Sequence, residues 1–347
     1  MGYKDKRYSK TLHQQAYDKL TGMQAFGESK KEAIANGTAK DKIFSFNTYK
    51  TYWKHTKYFI DYVKETHPEC TSLKKAKVYV REWLEYRTNY INEKGEHLSA
   101  WTIQTEAKAL AKLYGIEQGD PEYFEAPIRN RADNKRSRLH CERDKDFSVT
   151  NNDELIRFCR GVGPRRAGLS KLRGRDLVSK DSIEREVKRL NEAQKMRELS
   201  TKERKNLTIC EDALLFNNVT HFVYLKEKGG RERLSPIVGQ DADKIIKRFQ
   251  NTGKDEKVWR YIPSHADIHS YRADYATTIY KMFERPLVDI PYDKVNAGTG
   301  KKYQSEVYCC RKDEKGKRLD KRAMFLASKA LGHNRIEIVA NNYIRGL

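Results

Sequence analysis

Between residues 47 and 114 the apolar side chains recur every three or four positions, which restricts this part of the chain to amphipathic helices. After Asn47, read as an N-cap, Tyr49, Trp53, Thr56, Ile60 and Val63 form one stripe, with Lys50, Lys54 and Lys57 between them as a basic flank. A second stripe runs through Val78, Trp83, Leu84 and Ile91, and a third, behind a Ser99 cap, through Ile103, Ala107, Leu110 and Tyr114. Three such stripes shield one another by packing helix on helix, so residues 44–116 read as a compact all-helical domain. Residues 1–43 are polar and weakly periodic, with one helical candidate near Leu12 to Leu20, and read as an N-terminal extension.

The pattern breaks over residues 117–147, where Gly119, Pro121 and Pro127 precede a basic tract containing Arg129, Arg131, Lys135, Arg136 and Arg138. This reads as an interdomain linker, either a solvated charge run or a segment that tracks a DNA backbone. Residues 148–347 mix helical segments with one clear hairpin, two short strands from His221 to Ile237 around a Gly-Gly turn. The expected architecture is mainly α with a smaller β component: a helical domain followed by an α+β domain.

The 70 Lys and Arg against 48 Asp and Glu give a formal charge of +22, spread along all 347 residues. Such an excess favours a polyanionic partner, and nucleic acid fits best, because basic groups that neutralise phosphates release condensed counterions. A membrane surface would need an anchor, and no apolar run approaches the roughly 20 residues that span a bilayer. The N-terminus lacks the apolar stretch of a signal peptide, so a cytoplasmic, nucleoid-associated protein is expected. The six cysteines, Cys70, Cys141, Cys159, Cys210, Cys309 and Cys310, contain no C-x-x-C pair and suggest neither a zinc site nor a disulfide framework.

Four segments of the second domain hold residues suited to phosphate chemistry. Arg165 follows Gly163-Pro164 in a turn that leads into Leu169 and Leu172; Lys228 sits at the Gly-Gly turn of the hairpin; His269 and Arg272 are three apart on a helix whose stripe is Ile268, Tyr271, Tyr275, Ile279 and Met282. His333 follows Leu331-Gly332, and Tyr343 comes ten residues later. Taken singly, each is better explained by packing or surface charge, and Tyr343 is one of 21 tyrosines. Their order and combination single them out.

In that order these residues resemble the tyrosine recombinases, the family of Cre, the Xer recombinases and the lambda-type integrases, over about two thirds of the chain. The resemblance implies a helical, SAM-like core-binding domain and an α+β catalytic domain that together clamp duplex DNA at a specific site. It implies Arg165, Lys228, His269, Arg272 and His333 around the nucleophile Tyr343, a homotetramer in the synaptic complex, an accessory DNA-bending or excision factor, and no metal or other cofactor. Arg165 fits the first arginine better than Arg166, and Lys228 fits the hairpin lysine better than Lys226. Several features depart from the family. Gly168 stands where an acidic residue is usual, three after the first arginine, so that carboxylate is absent or supplied elsewhere. The spacing from His333 to Tyr343 is one residue longer. Two insertions, about 179–216 and 285–322, offer partner or DNA contacts, the second through Arg311, Lys312, Lys315, Lys317 and Arg318. The chain stops soon after Tyr343, so protomer exchange must use an element other than a C-terminal helix.

The chemistry expected from this set is attack of Tyr343 on a phosphodiester to give a 3′-phosphotyrosine and a free 5′-hydroxyl. A phenol with a pKa near about 10 needs a base, for which His269 is the candidate, and the planar guanidinium forks of Arg165 and Arg272 suit the charge that builds on the nonbridging oxygens. His333 adds a donor, and Lys228 protonates the leaving oxygen. The biological outcome would be integration or excision of a mobile element. The alternatives left open are a type IB topoisomerase or telomere resolvase, a noncatalytic DNA-binding protein, and an RNA-binding helical protein.

Overall fold

The structure, a computed structural model, describes residues 10–129, 147–227, 230–290, 306–310, 315–333 and 335–344. Within them the chain is mainly helical with small antiparallel sheets. It divides into two units, residues 1–129 and 130–347, with separate cores.

The first unit contains α1 (Leu12–Gly22), α2 (Lys30–Ala35), α3 (Phe46–Thr66), α4 (Leu73–Ala76), α5 (Val80–Asn89) and α6 (Ala100–Tyr114). Phe59, Ile60 and Val63 of α3 meet Trp83 and Leu84 of α5 and Leu110 and Leu113 of α6 in one core. Residues 10–43, read as an extension from their polarity, contribute to the same core: Leu12, Ala16, Leu20 and Ile43 are all buried in it. Their stripe is a single side chain wide and includes an alanine, so the surrounding polar residues hide it. Helix α3 starts after Ser45, two residues before Asn47 and without a side-chain capping bond, whereas the Ser99 cap of α6 forms as expected, its hydroxyl accepting the Thr102 N–H. Val78 and Ile91 are exposed, at 74% and 55%. Val78 lies in a 3-10 turn, Lys77–Tyr79, that joins α4 to α5 and rotates the stripe. Beneath α3 and α5 the buried Glu106 carboxylate of α6 accepts a two-pronged bond from Arg87, at 2.9 and 3.1 Å, and lies 3.4 Å from His55 Nδ1.

The second unit runs α7 (Asp153–Val162), α8 (Arg166–Leu169), β1 (Leu177–Ser179), α9 (Lys180–Met196), α10 (Thr201–Leu214), β2 (His221–Lys226), β3 (Glu232–Pro236), α11 (Ala242–Gln250), α12 (Ile268–Phe283), β4 (Val307–Cys309), β5 (Arg318–Asp320), α13 (Lys321–Ala330) and α14 (Ile336–Asn342). Strands β1, β2 and β3 form an antiparallel sheet in which Val223 faces Leu177 on one side and Ser235 on the other. Strands β4 and β5 make a separate pair. Helix α12 is packed between α7 and α13, and Ile268, Tyr271, Ala273, Tyr275, Ala276 and Ile279 are buried on several of its faces. The predicted stripe ends one turn short, since Met282 is 43% exposed. The charged insertion between β1 and β2 is the α9–α10 hairpin, closed by a small cluster of Leu190, Leu199 and Leu207 and a Ser200–Glu203 capping box. In the second insertion, Arg285 bonds Asp320 at 2.9 Å and Glu306 at 2.8 Å and so holds the start of the loop against β5. Among the described residues no helix is long and apolar enough to cross a membrane.

Candidate active site

Helix α7 ends at Gly163, whose φ of +61° is the left-handed conformation that only glycine adopts without strain. A Cβ there would also run into the Tyr275 ring. The chain then passes through Pro164 to Arg165, extended at φ −87° and ψ 156°, which caps the short α8. Both ends of Arg165 meet one carboxylate: its N–H donates to Glu227 Oε1 at 2.8 Å and its guanidinium donates to Glu227 Oε2. Arg166 turns the other way and donates to the Pro263, Ser264 and Ala266 carbonyls, bracing the loop before α12.

Glu227 follows β2 and is buried between three guanidinium groups. Besides Arg165, Arg233 Nη2 and Arg272 Nη1 each lie 3.5 Å from its Oε1. Burial alone would raise its pKa, but Arg233, Arg272, Arg165 and the Arg165 N–H outweigh that and hold it below the ordinary glutamate value, so it is charged at neutral pH. Arg272, in the first turns of α12, is wholly buried. It donates to the Gly163 carbonyl and, at 2.6 Å, to the Leu331 carbonyl, which ties the ends of α7 and α13 together. Burial, with Arg233 beside it, pushes its pKa down to about 10, which still leaves it protonated at neutral pH. Arg233 donates to the Ala330 and Gly163 carbonyls and to Ser235 Oγ. Arg231, exposed, donates to the Gly332 carbonyl at 2.6 Å.

Gly332, at φ +67°, ends α13 and turns the chain over Arg233; a Cβ on it would approach Arg233 Cδ to 2.8 Å. This turn brings His333 into the site. Its imidazole is driven down to about pKa 3 by burial first and then by Arg272, Arg165, Arg231 and Arg233, so it is neutral at physiological pH. Helix α14 ends one residue before Tyr343, whose N–H donates to the Val339 carbonyl at 3.0 Å. The Tyr343 ring, 4% exposed, lies 5.2 Å from the His269 ring and 5.4 Å from the His333 ring between centroids, with Arg272 Cζ 5.6 Å from its own centroid. The longer interval between His333 and Tyr343 therefore still sets the phenol among these groups, because the tyrosine sits just past the helix rather than within it.

The structure thus brings together Arg165, His269, Arg272, His333 and Tyr343. His269 and Arg272 share the start of α12 but differ in environment, the imidazole exposed and the guanidinium buried. Lys228 lies outside the described residues, as do Arg131, Lys135, Arg136, Arg138, Arg311 and Lys312. Lys226, its neighbour in the hairpin, is exposed and 3.5 Å from Glu232. On α3, Lys50, Lys54 and Lys57 are exposed, with Lys54 and Lys57 resting 5.8 and 6.0 Å from the Tyr58 and Trp53 rings. Arg129 lies 5.8 Å from the Trp101 ring.

Two site residues escaped the sequence reading, Glu227 and Arg233. The signal for Glu227 was the two-residue period of a strand: Val223, Leu225 and Glu227 fall on one face, and all three are buried. Among the described residues, three guanidinium groups, Arg165, Arg233 and Arg272, face the single carboxylate of Glu227. Three buried nitrogens, Arg272 Nε, Arg233 Nε and His333 Nε2, have no hydrogen-bond partner. An excess of positive charge with unspent nitrogens is an arrangement that an anion would complete. Among the described residues no group of three His, Cys, Asp or Glu side chains is placed to hold a metal ion. No protein-family model matches the chain, and no curated protein matches it.

Proposed function

We propose that the 130–347 unit is a DNA strand transferase of the tyrosine recombinase kind, which binds duplex DNA at a specific site and joins itself to one strand through Tyr343. The observation that carries this reading is the Tyr343 ring set against two histidines and buried Arg272, in a pocket whose positive charge exceeds its negative charge and whose buried nitrogens are not all spent. In the proposed step the Tyr343 oxygen attacks phosphorus, His269 takes the phenolic proton, and the bond from phosphorus to the 5′ oxygen breaks. Lys228 gives a proton to that departing oxygen. Arg165 and Arg272 stabilise the charge on the nonbridging oxygens, and neutral His333 supplies one N–H without repelling the guanidinium groups. Reversal by a 5′-hydroxyl from another duplex rejoins the strand without ATP. Integration or excision of a mobile element, assembled as a homotetramer, is the biological role that this chemistry would serve.

The test is a duplex nicked close to a candidate cleavage point, incubated with the protein and run on a denaturing gel. A covalent protein–DNA adduct that disappears in Tyr343→Phe, while duplex binding persists, is the expected result. An adduct formed equally well by Tyr343→Phe would move the nucleophile elsewhere.

A second reading, duplex binding without chemistry, is favoured by the low exposure of Tyr343 and by the use of both Arg272 Nη atoms on helix-end carbonyls. It predicts tight binding and no adduct on any duplex bound.

A further inference from the structure

We infer that Glu227 is the positioning residue of this site, the carboxylate that fixes Arg165 and Arg272 for the reaction. This rests on the function proposed above. A guanidinium at a turn has many rotamers, yet Arg165 is held at both its main-chain N–H and its side-chain tip by the two oxygens of one carboxylate. The Glu227 side chain is only 1% exposed, so its charge acts in a medium of low polarisability, and it also faces Arg272 and Arg233. Without it three guanidinium groups would face one another unbalanced, and Arg165, the one of the three with a partly exposed side chain at 28%, has the most freedom to turn away.

The space supports an exchange of positions. A Cβ on Gly168 would sit 3.4 Å from Glu227 Cγ and 3.6 Å from its Oε1, ordinary contact distances, with Leu225 at 3.6 Å as the other neighbour. Position 168 therefore looks onto the spot that the Glu227 carboxylate occupies, within the span of a glutamate side chain. Among the described residues, Glu227, from the end of β2, is the carboxylate that meets all three guanidinium groups, and a glutamate placed at position 168 would reach the same spot.

The experiment compares four proteins in the adduct assay: wild type, Glu227→Gln, Glu227→Ala, and Glu227→Ala with Gly168→Glu. Glu227→Gln keeps the shape and removes the charge, and is expected to slow adduct formation by about 100-fold, as loss of a charge-stabilising group does. Its affinity for duplex should stay within about threefold of wild type, because phosphate contacts along the DNA are untouched. The double variant should recover to within about tenfold of wild type, whereas Glu227→Ala alone should be poorly active or poorly folded. Recovery by a carboxylate from the opposite side is not expected of a residue that merely packs. A Glu227→Gln protein that reacts at the wild-type rate, or a double variant no more active and no better folded than Glu227→Ala, overturns the inference. Absence of a Tyr343-dependent adduct from wild type removes the proposed function itself, and the positioning role with it.

Discussion

Arg272 shows how a site residue is made by burial. On a surface it would be one more charge among 70; wholly enclosed, it serves two helix-end carbonyls and stays protonated beside the phenol. A lysine would bring the charge without the fork, so Arg272→Lys is expected to lose about 100- to 1000-fold in single-turnover adduct formation. A rate within a few-fold of wild type would assign the guanidinium to folding alone. His333 makes a prediction about pH. The unfolded chain takes up a proton near 6.5 and the folded one only near 3, so the unfolded state binds more protons in between and stability falls as pH drops through that window. Replacing His333 with Gln should flatten the upper part of this fall, above the carboxylate range, as followed by denaturant midpoints. An unchanged slope would mean that the imidazole is not held neutral.

At the scale of elements, the site depends on where helices stop. Helices α7 and α13 both end in left-handed glycines, Gly163 and Gly332, and the carbonyls released there are gathered by Arg233 and Arg272. Gly332→Ala combines a left-handed backbone with a Cβ against Arg233 and is expected to cost about 1–2 kcal/mol or more in unfolding free energy. It should also slow adduct formation, since His333 is the next residue. Equal stability of the alanine variant in a urea titration would show that this turn relaxes freely. In the helical unit, Arg87→Ala would take away the two-pronged bond to buried Glu106 and leave it only His55 at 3.4 Å, at a cost of about 3–5 kcal/mol in a urea titration, because a buried charge stripped of a partner is costly.

Taken as a whole, the molecule carries a formal charge of +22, and under the proposed function its binding to duplex should weaken steeply with salt. If Lys50, Lys54 and Lys57 touch phosphates, each alanine replacement lowers the slope of log affinity against log salt by about 0.9; an unaltered slope in all three would place the DNA elsewhere. The sequence by itself determined the helical stripes of α3 and α6, the β2–β3 hairpin, and the four motifs whose order points to phosphate chemistry. These are local patterns, carried by spacings of two, three and four residues. Only the tertiary structure decided that residues 10–43 join the first core and that the Tyr343 ring lies against both His269 and His333. It also decided that Glu227, from a strand end 62 residues after Arg165, is the carboxylate that both site arginines share. The reason is physical. A side chain's partner across the fold is fixed by packing and by where each backbone turns, and a charge shared by residues far apart in the chain leaves no periodic mark in it.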